Sequence, residues 1–255
     1  MDPLSSLPDE ILTHILSLLT TKEAASTSIL SKRWRNLVAF VPNLDIDDSV
    51  FLHPEDGKRE RDGVLESFMD FVDRVLDLQG DSPITKFSLK CREGVDSDRV
   101  DSWIVKALQR GVSELDLSID FPYYYYYTLP SELFVSSTLV KLKVTSVYDD
   151  FFDDKIEDLL LCFPVLEDLQ IANMERANLD VTVSSATLRK LVLSVFGSRS
   201  YRNPKSICFD TPNLLSFTYL EMIEEYNNSY SCNVRKKTRN LTCVQLCWQS
   251  NPTIL

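Results

Sequence analysis

Seven times along this chain an apolar residue is followed, three and five positions later, by two more, and the copies recur at nearly constant intervals. They are Ile84-x-x-Phe87-x-Leu89, Val112-x-x-Leu115-x-Leu117, Leu139-x-x-Leu142-x-Val144, Leu166-x-x-Leu169-x-Ile171, Leu188-x-x-Leu191-x-Leu193, Leu214-x-x-Phe217-x-Tyr219 and Leu241-x-x-Val244-x-Leu246. Successive starts are 28, 27, 27, 22, 26 and 27 residues apart. Such a period marks a repeat architecture, in which each unit buries its apolar face only by stacking on the next. An earlier copy, Val41-x-x-Leu44-x-Ile46, precedes the series by a 43-residue step.

Inside the hexads the pattern has period two. Glu114, Asp116 and Ser118 alternate with Leu115 and Leu117, Lys141, Lys143 and Thr145 with Leu142 and Val144, and Asp168 and Gln170 with Leu169 and Ile171. That alternation predicts strands with one dry and one wet face. It argues against a closed eight-stranded α/β barrel, whose strands are buried on both faces and read as unbroken apolar runs. Between hexads, Leu65, Phe68, Phe71, Val72, Val75 and Leu76 form a helix-period stripe, as do Val100, Trp103, Ile104, Ala107 and Leu108 before a C-cap near Gly111. Ile156, Leu159, Leu160 and Phe163 predict a shorter helix stopped by Pro164. The run Glu55 to Asp62 reads as a solvated loop. The expected unit is a short strand followed by a helix or an irregular return.

The N-terminal forty residues follow a different rule. Pro8 is placed to open a helix, and Ile11, Leu12, Ile15, Leu16 and Leu19 make one apolar stripe. Ser6 and Asp9 stand in capping-box register, Thr20 with Glu23 repeats the signal, and Ser31 starts a third helix striped by Trp34, Leu37, Val38 and Val41. Three helices this short are marginal alone and need a neighbour.

The opening Leu7-Pro8-Asp9-Glu10-Ile11-Leu12 and the closing Ser31-Lys32-Arg33-Trp34-Arg35 resemble an F-box. The hexads resemble leucine-rich repeats of a divergent kind. Together with Gly111 to Leu117 and Leu129 to Phe134, they make the chain similar to the plant group of F-box proteins with leucine-rich repeats. The resemblance implies an α/β solenoid: an N-terminal three-helix F-box over 1–40, then a leucine-rich-repeat horseshoe over 41–248 with a parallel sheet on its concave face, and a tail over 249–255. Two departures stand out. The Asn or Cys expected soon after each hexad is mostly absent, and the C-terminal FBD module of many relatives has no clear room. Residues 224–255 must supply the polar cap that a solenoid needs or leave apolar surface exposed.

The function implied is an adaptor subunit of a Skp–cullin–F-box ubiquitin ligase, with no catalytic residue of its own. Leu7, Pro8, Ile11, Leu12, Ile15, Leu16, Leu30, Lys32, Trp34 and Leu37 are expected to contact the Skp-family adaptor, or to support that contact by packing. Glu114, Asp116, Lys141, Lys143, Asp168, Gln170 and Lys190 are the candidate target surface, with the run Tyr123, Tyr124, Tyr125, Tyr126 and Tyr127 beside them. That run has two readings, local packing on the next repeat or an amphipathic contact patch. The alternative function is a repeat scaffold or small-ligand receptor whose F-box is purely structural.

Other classes find little support. A net charge of −11 repels a phosphate backbone, and the short cluster Arg235-Lys236-Lys237 with Arg239 reads as a solvated loop, so nucleic acid is not an expected partner. The six cysteines lack a paired C-x-x-C, and Asp149-Asp150 and Asp153-Asp154 lack the Gly and final Glu of a calcium loop, so no metal is expected. His14 and His53 are not placed for nucleophilic catalysis, no phosphate-binding Gly loop occurs, and no cofactor is implied. No apolar run approaches the roughly 20 residues of a membrane span, and the N-terminus lacks signal-peptide order. An intracellular protein of cytoplasm or nucleus, with no membrane partner, is the expectation.

Overall fold

From Val41 to Leu214 every hexad opens on a residue with at most 6 % of its surface exposed, and that residue leads into a strand. The computed structural model describes residues 6–50, 61–91, 94–120, 127–145, 163–175, 181–197, 205–225, 229–237 and 243–246. It comprises two units, Met1–Pro122 with Leu129–Leu139, and Tyr123–Thr128 with Val140–Leu255.

The first unit begins with three helices, α1 (Asp9–Leu16), α2 (Thr21–Thr27) and α3 (Lys32–Val38). There follow β1 (Asn43–Asp47), α4 (Arg61–Gln79), β2 (Lys86–Cys91), α5 (Ser97–Gln109), β3 (Glu114–Ile119) and a 3-10 turn at Ser131–Val135. The strands β1, β2 and β3 pair in parallel, and the hexads set the register: Leu44 lies beside Phe87 and Phe87 beside Leu115, Ile46 beside Leu89 and Leu89 beside Leu117. The early copy at Val41 is therefore a full member of the sheet. Its long step accommodates α4, which begins at Arg61 and so takes in the end of the charged run; residues 55–60 lie outside the described residues.

α4 buries Phe68, Met69, Val72, Val75 and Leu76, and α5 buries Val100, Trp103, Ile104 and Ala107. Phe68 meets Trp103 edge to face, with ring centroids 6.2 Å apart. A polar ladder flanks this seam: Arg99 pairs with Glu66 at 2.8 Å and Asp70 at 3.2 Å, Trp103 Nε1 donates to Asp73 at 2.7 Å, and Lys106 reaches Asp77 at 3.0 Å. The part-buried indole bond is the strong member, because exposed ion pairs add little. α5 starts where the Asp96 carboxylate accepts the N–H groups of Asp98 and Arg99. It ends at Gly111, whose φ of +77° lets its own N–H reach the Leu108 carbonyl and that of Val112 reach Ala107, a Schellman closure. The next return is the 3-10 turn after Pro130, which buries Leu133 and lies against α5.

The second unit keeps the strands but changes the return. β4 (Lys141–Thr145), β5 (Asp168–Glu175), β7 (Lys190–Gly197) and β9 (Ser216–Glu225) pair in parallel, again in hexad register: Leu142 beside Leu169, Leu169 beside Leu191, and Leu191 beside Phe217. Among the described residues, the returns after β5 and β7 are strands as well. β6 (Val181–Ser184) and β8 (Lys205–Asp210) pair in parallel in a second sheet. This corrects the expectation of a helix or irregular return. The 22-residue step between Leu166 and Leu188 leaves little chain for a helix, and Val181-Thr182-Val183 is β-branched throughout.

Two further corrections concern the C-terminal part. The last hexad does not extend the main sheet: β11 (Cys243–Leu246) lies antiparallel to β8 in the second sheet, Val244 beside Ile207. The place beside β9 is taken by β10 (Ser229–Lys237), antiparallel, so Arg235, Lys236 and Lys237 are in a strand and not a loop. Backbone pairing to the open edge of β9 outweighs the polar composition, and a basic edge strand discourages further strand addition. The helix expected over 156–163 lies outside the described residues, except for Phe163, which is buried.

One hydrogen-bond motif recurs in both units. The carbonyl after the first hexad residue accepts two N–H groups from the next repeat: Pro42 from Thr85 and Lys86, Thr85 from Ser113 and Glu114, Val140 from Glu167 and Asp168, Glu167 from Arg189 and Lys190, and Arg189 from Leu215 and Ser216. Side chains reinforce it. Thr138 donates to the Val112 carbonyl at 2.9 Å and Thr187 to that of Leu166 at 2.8 Å. These bonds join neighbouring repeats. Thr187→Val, which keeps shape and strips the donor, is expected to cost about 1 kcal/mol. Urea unfolding reads this directly, and an unchanged midpoint would remove the side-chain bond from the account.

Candidate partner-binding surfaces

The three N-terminal helices enclose a small core of Leu12, Leu16, Ala24, Leu37, Val38 and Val41, against which Leu7, Ile15, Leu19 and Trp34 pack half-buried. Three local devices hold the helices. At α2 the reciprocal capping box forms: the Glu23 N–H donates to Thr20 Oγ1 at 3.3 Å and the Thr20 N–H to Glu23 Oε2 at 3.0 Å. The bond from the Thr20 hydroxyl, then that from its N–H, lowers the Glu23 pKa, so this carboxylate keeps its charge to lower pH than usual. At α3 the Ser31 hydroxyl accepts the Trp34 N–H. At α1 the N-cap is Pro8, two residues beyond the Ser6 that the Ser6–Asp9 register would place there, and no side-chain bond caps it.

Asp9 has a different partner. Its carboxylate accepts Arg33 Nε at 2.8 Å, and Arg33 Nη2 donates to the Leu7 carbonyl. Arg33 thereby ties the start of α3 to the start of α1, joining the two ends of the motif. The pairing of Asp9 with Arg33 was not expected from the sequence pattern, since a bond across 24 residues leaves no local signal.

The apolar surface is distributed unevenly. Among the described residues nine large apolar side chains are exposed, and five belong to this N-terminal unit: Ile11 of α1 at 48 %, and, in the turns after the three helices, Leu18 at 74 %, Ile29 at 85 %, Leu30 at 70 % and Phe40 at 63 %. The expected adaptor residues thus fall into groups. Pro8, Ile11, Leu30 and Lys32 are exposed, Leu7, Ile15 and Trp34 are half-buried, and Leu12, Leu16 and Leu37 lie inside the core. Leu18, Ile29 and Phe40 were not anticipated. Each lies in the turn that follows a helix, beyond the stripe that the helix buries.

The helices also meet the first repeat. Thr21 is buried, and its Oγ1 accepts the N–H of Asp45 in β1 at 2.8 Å. Gln79, at the end of α4, donates to the Val41 carbonyl at 2.8 Å. Val41 is both a core residue of the helices and the opening residue of the first hexad.

On the wet strand faces, Glu114 and Asp116 of β3 are half-buried in the first unit. In the second, Lys141 and Lys143 of β4 are exposed, Lys190 of β7 pairs with Asp168 of β5 at 3.1 Å, and Gln170 donates to Asp168 at 3.1 Å. Tyr127 is buried; Tyr123, Tyr124, Tyr125 and Tyr126 lie outside the described residues. In the first unit Asp47 is partly desolvated, which raises its pKa, but bonds from Ser49 and Lys90 outweigh that and hold it below the usual carboxylate range. Among the described residues, no three His, Cys, Asp or Glu side chains are grouped to share a metal, and no helix is long and apolar enough to cross a membrane.

A three-helix unit that presents apolar side chains outward and leads straight into parallel repeat strands defines an F-box protein with leucine-rich repeats. Residues 4–45 match the F-box domain family model. In Arabidopsis thaliana, "F-box/LRR-repeat protein At3g58900" is 52 % identical over 246 residues, covering 88 % of this chain and 75 % of that protein. "F-box protein At3g03040" is 58 % identical over 249 residues, covering 88 % and 52 %, and "F-box/LRR-repeat protein At3g58940" 49 % over 253, covering 88 % and 41 %. The chain belongs to the F-box/LRR-repeat family. It spans about half the length of most of the curated relatives it matches. No solved structure matches it.

Proposed function

We propose that the protein is the target-recognition subunit of a Skp–cullin–F-box ubiquitin ligase. In this reading residues 1–40 bind a Skp-family adaptor, and through it a cullin. Residues 41–248 form an α/β leucine-rich-repeat solenoid that holds a target protein, and 249–255 are a tail. The observation that carries the reading is the number of exposed apolar side chains, Ile11, Leu18, Ile29, Leu30 and Phe40, on a three-helix unit too small to leave so much apolar surface in water without a partner. Leu7, Pro8, Ile15, Lys32 and Trp34 are the proposed further contacts, while Leu12, Leu16 and Leu37 support the unit from inside.

Such a subunit accelerates transfer by holding the target near a ubiquitin-charged enzyme elsewhere in the complex, so it needs no reactive group of its own. The wet positions Glu114, Asp116, Lys141, Lys143, Asp168, Gln170 and Lys190, with Tyr123 to Tyr126, are the proposed target surface; Tyr127 is buried and falls outside it. Calorimetric titration of the full chain with a purified Skp-family adaptor tests the reading. Saturable binding is the expected result, and none by a well-folded chain overturns it.

A further inference from the structure

The first forty residues hold four acids and four bases, so the whole net charge of −11 lies beyond them. Within this neutral stretch the charges are uneven. α3 carries Lys32, Arg33 and Arg35 and no acid. Arg33 is held by Asp9. Lys32 and Arg35 are exposed and make no hydrogen bond or ion pair among the described residues. The helix turns Leu37 and Val38 inward, and the two cations, three residues apart, share its solvent side.

Lys32 also stands against its own helix. In a first turn the unpaired N–H groups leave partial positive charge, which favours a carboxylate and disfavours a cation. α1 has Asp9 and Glu10 there and α2 has Glu23, whereas α3 has no acid to offset Lys32. The fold gains nothing from this ammonium group. Its neighbours in sequence are the exposed Ile29 and Leu30, and Phe40, also exposed, follows Arg35.

We propose that Lys32 and Arg35 complete the adaptor-binding surface by meeting carboxylates that rim an apolar groove on the adaptor. This rests on the ligase reading and gives its partner a chemistry, acidic around an apolar centre. Such an adaptor is attracted to α3 and repelled by the acidic remainder of the chain. Charge therefore orients the encounter before the apolar side chains touch.

Titration of the full chain with a purified Skp-family adaptor, at about 50 and about 300 mM salt, tests this. Wild-type affinity is expected to fall as salt rises. Lys32→Glu/Arg35→Glu is expected to lose affinity on the order of tenfold at the lower salt and less at the higher, with Lys32→Gln/Arg35→Gln weakened in the same direction. Arg74→Glu/Lys86→Glu makes the same change of net charge at two exposed cations outside this surface and is expected to bind as the wild type does. Thermal unfolding separates binding from folding, because Lys32→Gln is expected to leave the midpoint unchanged or to raise it. Affinity indifferent to salt and to both Lys32/Arg35 variants, an equal loss in the Arg74→Glu/Lys86→Glu chain, or a lowered midpoint in Lys32→Gln overturns the proposal. In each of these cases a wild-type chain that still binds the adaptor leaves the ligase reading standing; no binding by a folded wild-type chain removes both.

Discussion

Replacing Ile29 and Leu30 together by aspartate is expected to abolish binding to a Skp-family adaptor while leaving the chain as stable as before. The two side chains are 85 % and 70 % exposed, so folding buries little of them, and surface changes of this kind shift stability by less than about 0.5 kcal/mol. In an apolar interface the same two carboxylates would be desolvated without partners, so an affinity loss of at least about 100-fold, roughly 2.7 kcal/mol, is expected. Leu16→Ala gives the contrast. Leu16 is fully buried, and its truncation should cost about 2–5 kcal/mol of stability. Calorimetry for affinity and thermal unfolding for stability separate the two effects. Wild-type affinity in a well-folded Ile29→Asp/Leu30→Asp chain would move the adaptor surface elsewhere.

The second large effect is structural. Trp103 heads the fully buried side chains by volume, packs edge to face on Phe68 and donates its indole N–H to Asp73. Trp103→Ala should cost about 3–5 kcal/mol, a large share of the roughly 5–15 kcal/mol that holds a domain folded. Trp103→Phe divides this cost. It keeps an aromatic ring against Phe68 but removes the donor to Asp73, for which about 1.5–3 kcal/mol is expected. Urea unfolding followed by circular dichroism measures both. A Trp103→Ala penalty below about 1 kcal/mol would mean that α4 and α5 are not cooperative with the strands.

Much of this architecture was legible because its signals are local and repeated. The hexads located the parallel strands, and since each copy places Leu or its equivalent at the same offsets, sequence alignment of the copies is also the strand register. Thr20 with Glu23 and the glycine at 111 announced their caps, because capping is a matter of three or four adjacent residues. The rest depends on what local patterns do not encode. Val181 to Ser184 is too short for its period to be read. β10 is polar and becomes a strand only because the edge of β9 is open beside it. The final hexad has the same spacing as the others, yet β11 pairs with β8, a choice made by neighbours in space. In the helices the stripe located the core, but Leu18, Ile29 and Phe40 are indistinguishable by residue type from the leucines that fill it; only packing separates an inward side chain from an outward one.

Val41 and the bond from Asp45 to Thr21 leave no spacer between the helices and the first strand. A single residue inserted between Val41 and Leu44 would turn every side chain of β1 to the other face, so the junction tolerates no change of length. The helices and the first repeats therefore form one inherited piece, and the angle at which they meet is written in the same few residues that close both cores. Exchange of modules between relatives is constrained accordingly: a graft cut at residue 40 severs a shared core, whereas one cut after Asp47 carries the first strand along with its own helices.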